Sequence, residues 1–162
     1  MGTHETATGG RPGARQGRVL AALPVRHAAC SPATQPPKEA SPMSLVLIVD
    51  DVQTDRTLIG KVVSESGHQP LYAANGKEAL QAARMHRPSL ILLDVVMPDV
   101  NGFNVCRTLK NTAETSEIPV VLVTTKGTDS DRFWGRKQGA EDHLAKPFAA
   151  EELTAVIRRF VR

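Results

Sequence analysis

Four aliphatic runs in this chain each end on side chains suited to metal or phosphoryl chemistry. Asp50-Asp51 follow residues 45–49, Asp94 follows 90–93, Thr124-Thr125 follow 118–123, and Lys146-Pro147 follow 143–145. Three carboxylates, a hydroxyl and an ammonium held together could bind a divalent cation and take up a phosphoryl group. Clustered carboxylates repel one another, so such a site either raises the pKa of one of them or recruits a cation. Mg²⁺ fits, because it takes oxygen ligands, keeps several waters, and is commonly held by one or two carboxylates together with a phosphate. Asp94 is then both a ligand and a candidate nucleophile, since a carboxylate can form an aspartyl phosphate. The cation and the Lys146 ammonium would neutralise charge on the group in transfer. Thr124 could bond a phosphoryl oxygen only after the group arrives, which is the property of a switch.

These residues are spread over nearly a hundred positions, so the fold must gather them. From residue 44 short aliphatic runs alternate with amphipathic stretches. Strands are expected at 45–49, 70–74, 90–93, 118–123 and 143–145. Helices are expected at 54–66, 77–86, 103–110, 129–138 and 151–161, with Gly67 and Gly139 as stops. The inward faces should carry Leu58, Ile59, Val62 and Val63, then Ala79, Leu80, Ala83 and Met85, and finally Leu153, Val156, Ile157 and Phe160. Strands that are apolar at every position are buried on both faces, as in a parallel sheet covered by helices. The expected class is α/β: a five-stranded parallel doubly wound sheet, flavodoxin-like, in order 2-1-3-4-5, with two helices on one face and three on the other. Ligands of such sheets bind beyond the carboxyl ends of the strands, where strand order reverses. All the residues named above lie at carboxyl ends.

The composition, 41% hydrophobic and 23% charged with 4% aromatic, is that of a globular protein with an aliphatic interior. Its apolar runs are far too short to span a bilayer, which takes about 20 residues, so no membrane insertion is expected. Cys30 and Cys106 have neither metal-ligand spacing nor the number for a disulfide framework, which favours a reducing cytoplasm. The net charge of +3 lies entirely in residues 1–43, which hold five basic and two acidic groups; residues 44–162 hold fifteen of each. A nucleic-acid partner is therefore not expected. Residues 1–43 also contain six of the eleven prolines and five of the twelve glycines without an apolar period, the composition of a disordered Pro/Gly-rich tail. Met43 stands directly before the first strand, so the tail reads first as an over-extended reading frame that is not translated. A targeting peptide and a basic arm are the other readings.

Residues 44–161 resemble the receiver domain of two-component response regulators, the CheY-like family. The resemblance rests on Val49-Asp50-Asp51, on Leu93-Asp94-Val95-Val96-Met97-Pro98-Asp99 with Gly102, on Val123-Thr124-Thr125, and on Lys146-Pro147-Phe148. It implies that Asp94 is the phosphoacceptor and that Asp51, assisted by Asp50, Asp94 and the Val96 carbonyl, holds Mg²⁺. It further implies that Thr124 and Lys146 contact the phosphoryl group, that the peptide before Pro147 is cis, and that a histidine kinase of the CheA-like kind is the donor. A narrower resemblance, to stand-alone regulators of type IV pilus twitching motility of the PilH type, rests on three segments. These are Met97-Pro98-Asp99-Val100-Asn101-Gly102-Phe103, Glu114 to Pro119 leading into Thr124-Thr125-Lys126, and Trp134-Gly135-Arg136-Lys137-Gln138-Gly139-Ala140. The expected protein is a single-domain regulator, monomeric when unphosphorylated, that signals by contact with a downstream protein. A phosphorylation-independent adaptor or a phosphate sink is the alternative.

Each residue also has a plainer reading. Asp50-Asp51 could be an acid pair at a helix N-terminus, Thr124 a β-favouring residue, and Lys146 a surface lysine. Asp99 and Asn101-Gly102 read as turn residues, with Gly102 tolerant of positive φ. His143 stands where receivers often carry a Tyr or Phe switch; it is either a pH-sensitive switch or an ordinary half-buried histidine. Trp134 is either an interaction hot spot or packed on its own domain. Gly135 beside it should weaken its helix by roughly 1 kcal/mol relative to alanine. A haloacid-dehalogenase-type hydrolase would need a second Asp where Val96 stands. A nucleotide-binding module would need a Gly-rich loop where Val52-Gln53-Thr54 stands.

Overall fold

Every residue of the three central aliphatic runs is buried or nearly so, and this follows from their place between two helical layers. The computed structural model describes residues 43–125 and 127–161; the reading of residues 1–42 as a tail falls outside them. The elements alternate as β1 (Leu45–Val49), α1 (Gln53–Glu65), β2 (Gln69–Ala73), α2 (Gly76–His86), β3 (Leu90–Asp94), α3 (Gly102–Asn111), β4 (Val120–Thr124), α4 (Asp129–Lys137), β5 (Asp142–Ala145) and α5 (Ala150–Phe160). The strands form one parallel sheet in the expected order, β2-β1-β3-β4-β5. β1, β3 and β4 are apolar throughout because both their faces are covered; the outer strands β2 and β5 are only partly buried.

Alternate residues of the central strands feed two cores. Val46, Ile48, Leu90, Leu92, Val121 and Val123 pack with Ile59 and Val63 of α1 and Leu153 and Ile157 of α5. Leu47, Val49, Ile91, Leu93, Val120 and Leu122 pack with Ala79 and Ala83 of α2 and Val105 and Leu109 of α3. α4 joins this second layer through Gly135: a Cβ there would stand 2.6 Å from Leu122 Cδ1. The layers thus hold two helices and three.

The helices start where side chains satisfy their first amides. Asn75 Oδ1 accepts from the Glu78 amide of α2 at 2.9 Å, and Asn101 Oδ1 from the Phe103 amide of α3 at 3.0 Å. Thr128 and Asp131 cap each other's amides at α4. Gly67 and Gly139 follow α1 and α4 with φ of 85° and 91°, the left-handed conformation expected of helix stops.

Four local expectations are corrected. Leu58 and Met85 face outward, at 58% and 68% exposure, because the inward stripes of α1 and α2 are complete without them. Gly102 does not have a positive φ; it is the first residue of α3, and a Cβ there would strike the Asp94 carbonyl oxygen and the Val95 Cα. Gly135 is not simply a weak helix former but the point at which α4 approaches the sheet.

Candidate functional site

Parallel register builds the site before any side chain is considered. Val49 pairs with Leu93, Asp94 with Val123, and Thr124 with Ala145. One step further along β1 brings Asp50 level with Asp94, and one step along β5 brings Lys146 just beyond Thr124. The Lys146 amide donates to the Thr124 carbonyl at 2.8 Å, continuing the pairing past the end of β5. The Lys146–Pro147 peptide that follows is cis.

Asp50 is 1% exposed and bonded on all sides. Its amide donates to the Ala73 carbonyl at 3.2 Å, and its carbonyl accepts from Arg56 Nη1 at 2.5 Å. Its Oδ1 accepts from the Val52 amide at 2.8 Å, and its Oδ2 from Lys146 Nζ at 2.6 Å. Asp51 beside it is exposed. Asp94 is 6% exposed; its Oδ1 accepts from the Val96 amide at 3.2 Å and its Oδ2 lies 3.7 Å from Lys146 Nζ. One carboxylate oxygen from each of Asp50, Asp51 and Asp94 lies within 4.8 Å of the others, a donor set of the size and hardness that Mg²⁺ prefers.

Burial raises the Asp94 pKa above its ordinary value. The Val96 amide and the Lys146 charge work against that rise, while the Asp50 charge adds to it. For Lys146, burial pulls the pKa down, but hydrogen bonds to Asp50 and Asp55, with the charges of Asp94 and Asp50, more than offset it and the net shift is upward. The ammonium therefore stays charged. Three carboxylates facing it leave an excess of negative charge that a divalent cation would balance.

Thr124 is fully buried at the end of β4. Val96, 46% exposed, lies in the loop between β3 and α3. His143 is half-buried on β5, opposite Leu122, and lines a cavity with Arg132, Gly135, Arg136, Ala140 and Asp142. Trp134 lies on the outer side of α4, 52% exposed, edge-on to Phe133 with centroids 6.2 Å apart and with Lys137 Nζ 5.5 Å from its ring. It thus contacts its own helix rather than the core. His143 and Trp134 belong to the α4–β5 face and make no part of the carboxylate cluster.

The sequence reading missed Asp55. Its Oδ2 lies 2.9 Å from Lys146 Nζ, and both residues line a groove of about 370 Å³ with Leu58, Ile59, Thr125, Pro147 and Phe148. A first-turn acid looks like an ordinary response to the helix dipole. The available signal was its place in the first turn of α1, directly after the Asp50-Asp51 pair that ends β1.

Comparison with known proteins agrees with this geometry. The response regulator receiver domain model matches residues 46–158. Protein PilH of Pseudomonas aeruginosa is 44% identical over 115 residues, covering 71% of this chain and 95% of that protein. The probable transcriptional regulator ycf27 of Cyanophora paradoxa is 38% identical over 117 residues, covering 72% of this chain but 48% of the relative, so the chain spans about half the length of such regulators. Among solved structures, chemotaxis protein CheY4 of Vibrio cholerae superposes with a TM-score of 0.70 at 30% identity, over 73% of this chain and 98% of that one. The receiver domain of a sensor histidine kinase from Pseudomonas aeruginosa, described with a magnesium ion coordinated in its active-site cleft, has a TM-score of 0.68 at 26% identity, over 73% and 97%. With the 2-1-3-4-5 sheet between two helical layers and an acid cluster at its switch point, the chain belongs to the response regulator receiver family.

Proposed function

We propose that Asp94 accepts a phosphoryl group from the phosphohistidine of a histidine kinase, with Mg²⁺ held by Asp50, Asp51, Asp94 and the Val96 carbonyl. The observation that carries the proposal is the placing of the Asp94 carboxylate at the sheet's switch point, between two other carboxylates and the Lys146 ammonium. An Asp94 oxygen attacks phosphorus as the phosphorus–nitrogen bond to the imidazole breaks. The imidazole nitrogen leaves with the electron pair and later takes up a proton. Mg²⁺ would supply neutralisation of the phosphoryl oxygens.

Lys146 shares that neutralisation, and the Thr124 hydroxyl bonds the newly arrived oxygen. Attack by water on the acyl phosphate resets the switch. Asp50 is committed to four contacts within the chain whereas Asp51 is exposed, which supports Asp51 as the principal ion-facing acid. His143 and Trp134, on the α4–β5 face, are our candidates for passing the change to a downstream protein.

We assign the protein to type IV pilus twitching or chemotaxis-type signalling, with a CheA-like kinase as donor. The motif resemblance, the identity to protein PilH and the likeness to CheY4 support that assignment. A cytoplasmic location is supported by Cys106, a buried thiol that is free among the described residues. Among the described residues no helix is long and apolar enough to cross a membrane.

Incubation with acetyl phosphate and Mg²⁺ tests the chemistry. Wild type should gain an acid-labile adduct of phosphoryl mass that Asp94→Asn does not. Failure of wild type to gain it would leave a phosphorylation-independent adaptor as the better reading.

A further inference from the structure

The Lys146 ammonium is divided between three carboxylates, and unequally. Nζ lies 2.6 Å from Asp50 Oδ2, 2.9 Å from Asp55 Oδ2 and 3.7 Å from Asp94 Oδ2. The first two are hydrogen bonds; the third is beyond hydrogen-bond reach. The ammonium that would serve a phosphoryl group on Asp94 is therefore held by Asp50 at the end of β1 and Asp55 on α1 instead. The third N–H of the ammonium is left for a phosphoryl oxygen, and any movement of Nζ toward Asp94 lengthens one or both of these bonds. Asp50 is fixed by the Val52 and Ala73 main chain and is 1% exposed, so its bond to the ammonium, shielded from water, is the costlier of the two to break. The Asp55 side chain is 38% exposed at the mouth of the groove, and water can replace the ammonium there at small cost.

We propose that Asp55 is a positioning residue for phosphoryl transfer: it holds Lys146 back from Asp94 in the resting state and releases it when the phosphoryl group arrives. The inference rests on the reading of Asp94 as acceptor. Removing the Asp55 carboxylate acts twice in one direction. It frees the ammonium, and it takes a negative charge away from the approach of an anionic donor. Asp55 thus restrains phosphorylation, and its loss should accelerate it.

The test compares the full chain as wild type, Asp55→Asn, Asp55→Ala and Asp55→Glu, each with Mg²⁺. Two quantities are read: the initial rate of acid-labile adduct formation from acetyl phosphate, and half-saturation by beryllofluoride, a phosphoryl analogue. Asp55→Asn should be phosphorylated about threefold to tenfold faster than wild type, the size of effect a half-exposed charge produces. It should saturate at correspondingly lower beryllofluoride. Raising salt from about 0.05 M to about 1 M should shrink the difference, since a charge effect is screened and a packing effect is not. Asp55→Ala should follow Asp55→Asn, and Asp55→Glu should return toward wild type. A merely structural Asp55 would instead slow both variants and lower their melting temperatures.

Equal rates in wild type and Asp55→Asn, or a gain indifferent to salt, would overturn the role of Asp55 while leaving Asp94 as acceptor. Absence of any adduct in wild type would overturn both.

Discussion

Replacing Asp94 by asparagine should make the protein more stable, not less, when no divalent cation is present. At an effective dielectric of about 20, the attraction of Lys146 at 3.7 Å is roughly 4–5 kcal/mol. At the 4.8 Å limit that separates the carboxylates, repulsion from Asp50 is roughly 3–4 kcal/mol at the same dielectric. Asp51 is exposed, so water cuts its repulsion to roughly 1–2 kcal/mol. These Coulomb contributions nearly cancel. What remains is the cost of holding a carboxylate at 6% exposure, partly offset by the Val96 amide at 3.2 Å. Asparagine keeps an oxygen for that amide and carries no charge, and Lys146 keeps both its hydrogen bonds, to Asp50 and Asp55.

Unfolding in urea with a chelator at pH 7 should therefore show a gain of about 1–2 kcal/mol for Asp94→Asn, or roughly 3–8 °C in a melt. The pH dependence has a fixed sign. Because the folded pKa of Asp94 is raised, protonation favours the folded state; the favourable contribution is complete below the ordinary value of 3.8 and is lost as pH rises through the folded pKa. The gap between the two proteins should thus close on acidification and vanish below about pH 4. Saturating the site with Mg²⁺ to about ten times its dissociation constant should return about 1.4 kcal/mol to wild type and less to the variant. A less stable Asp94→Asn in chelator at pH 7 would refute this charge accounting.

Three further substitutions test how the frame holds the site. Gly102→Ala should cost stability and also slow phosphorylation, because the added Cβ meets the Asp94 carbonyl and the Val95 backbone; adduct formation from acetyl phosphate, followed with urea unfolding, checks both. Gly135→Ala should not yield the roughly 1 kcal/mol of helix propensity that alanine brings. Its Cβ would stand 2.6 Å from the buried Leu122 Cδ1, so calorimetry should find it neutral to about 1–2 kcal/mol destabilised. Lys110→Met removes Nζ bonds to the Ser116 and Ile118 carbonyls at 3.1 and 2.8 Å and to Glu141 at 2.5 Å. With Glu141 left bound to the Val120 amide, a loss of about 2–4 kcal/mol is expected in urea titration.

The parts of the fold that were legible in the sequence are those set by solvent exclusion. β1, β3 and β4 are unbroken aliphatic runs because both their faces are covered, and this also revealed their parallel order. Gly67 and Gly139 were legible as stops because a helix end often needs positive φ. Leu58 and Met85 were misplaced because an apolar type satisfies a helical period without saying where the stripe ends. Gly102 and Gly135 were misread for a different reason. A glycine announces missing bulk, but only the partner element shows whether that absence serves conformation or close approach. Asp55 was invisible as a partner of Lys146, since the two are 91 residues apart and meet only after α1 is laid on β1 and β5 is in place.

The division between legible and hidden residues follows the division of labour in the site. Asp50, Asp94, Thr124 and Lys146 are positioned by strand register, and the main-chain bonds of Asp50 to Ala73 and of Lys146 to Thr124 fix them whatever the neighbouring helices carry. Chemistry placed in this way is bound to strand ends, so it can be read from sequence. Asp55 is positioned by a helix turn, where a side chain can change without altering register. On the proposed reading of Asp94 as acceptor, a residue of this second kind adjusts how readily Lys146 is released while the sheet keeps the acceptor in place. The proposed switch is then tunable in rate at positions that leave its chemistry intact.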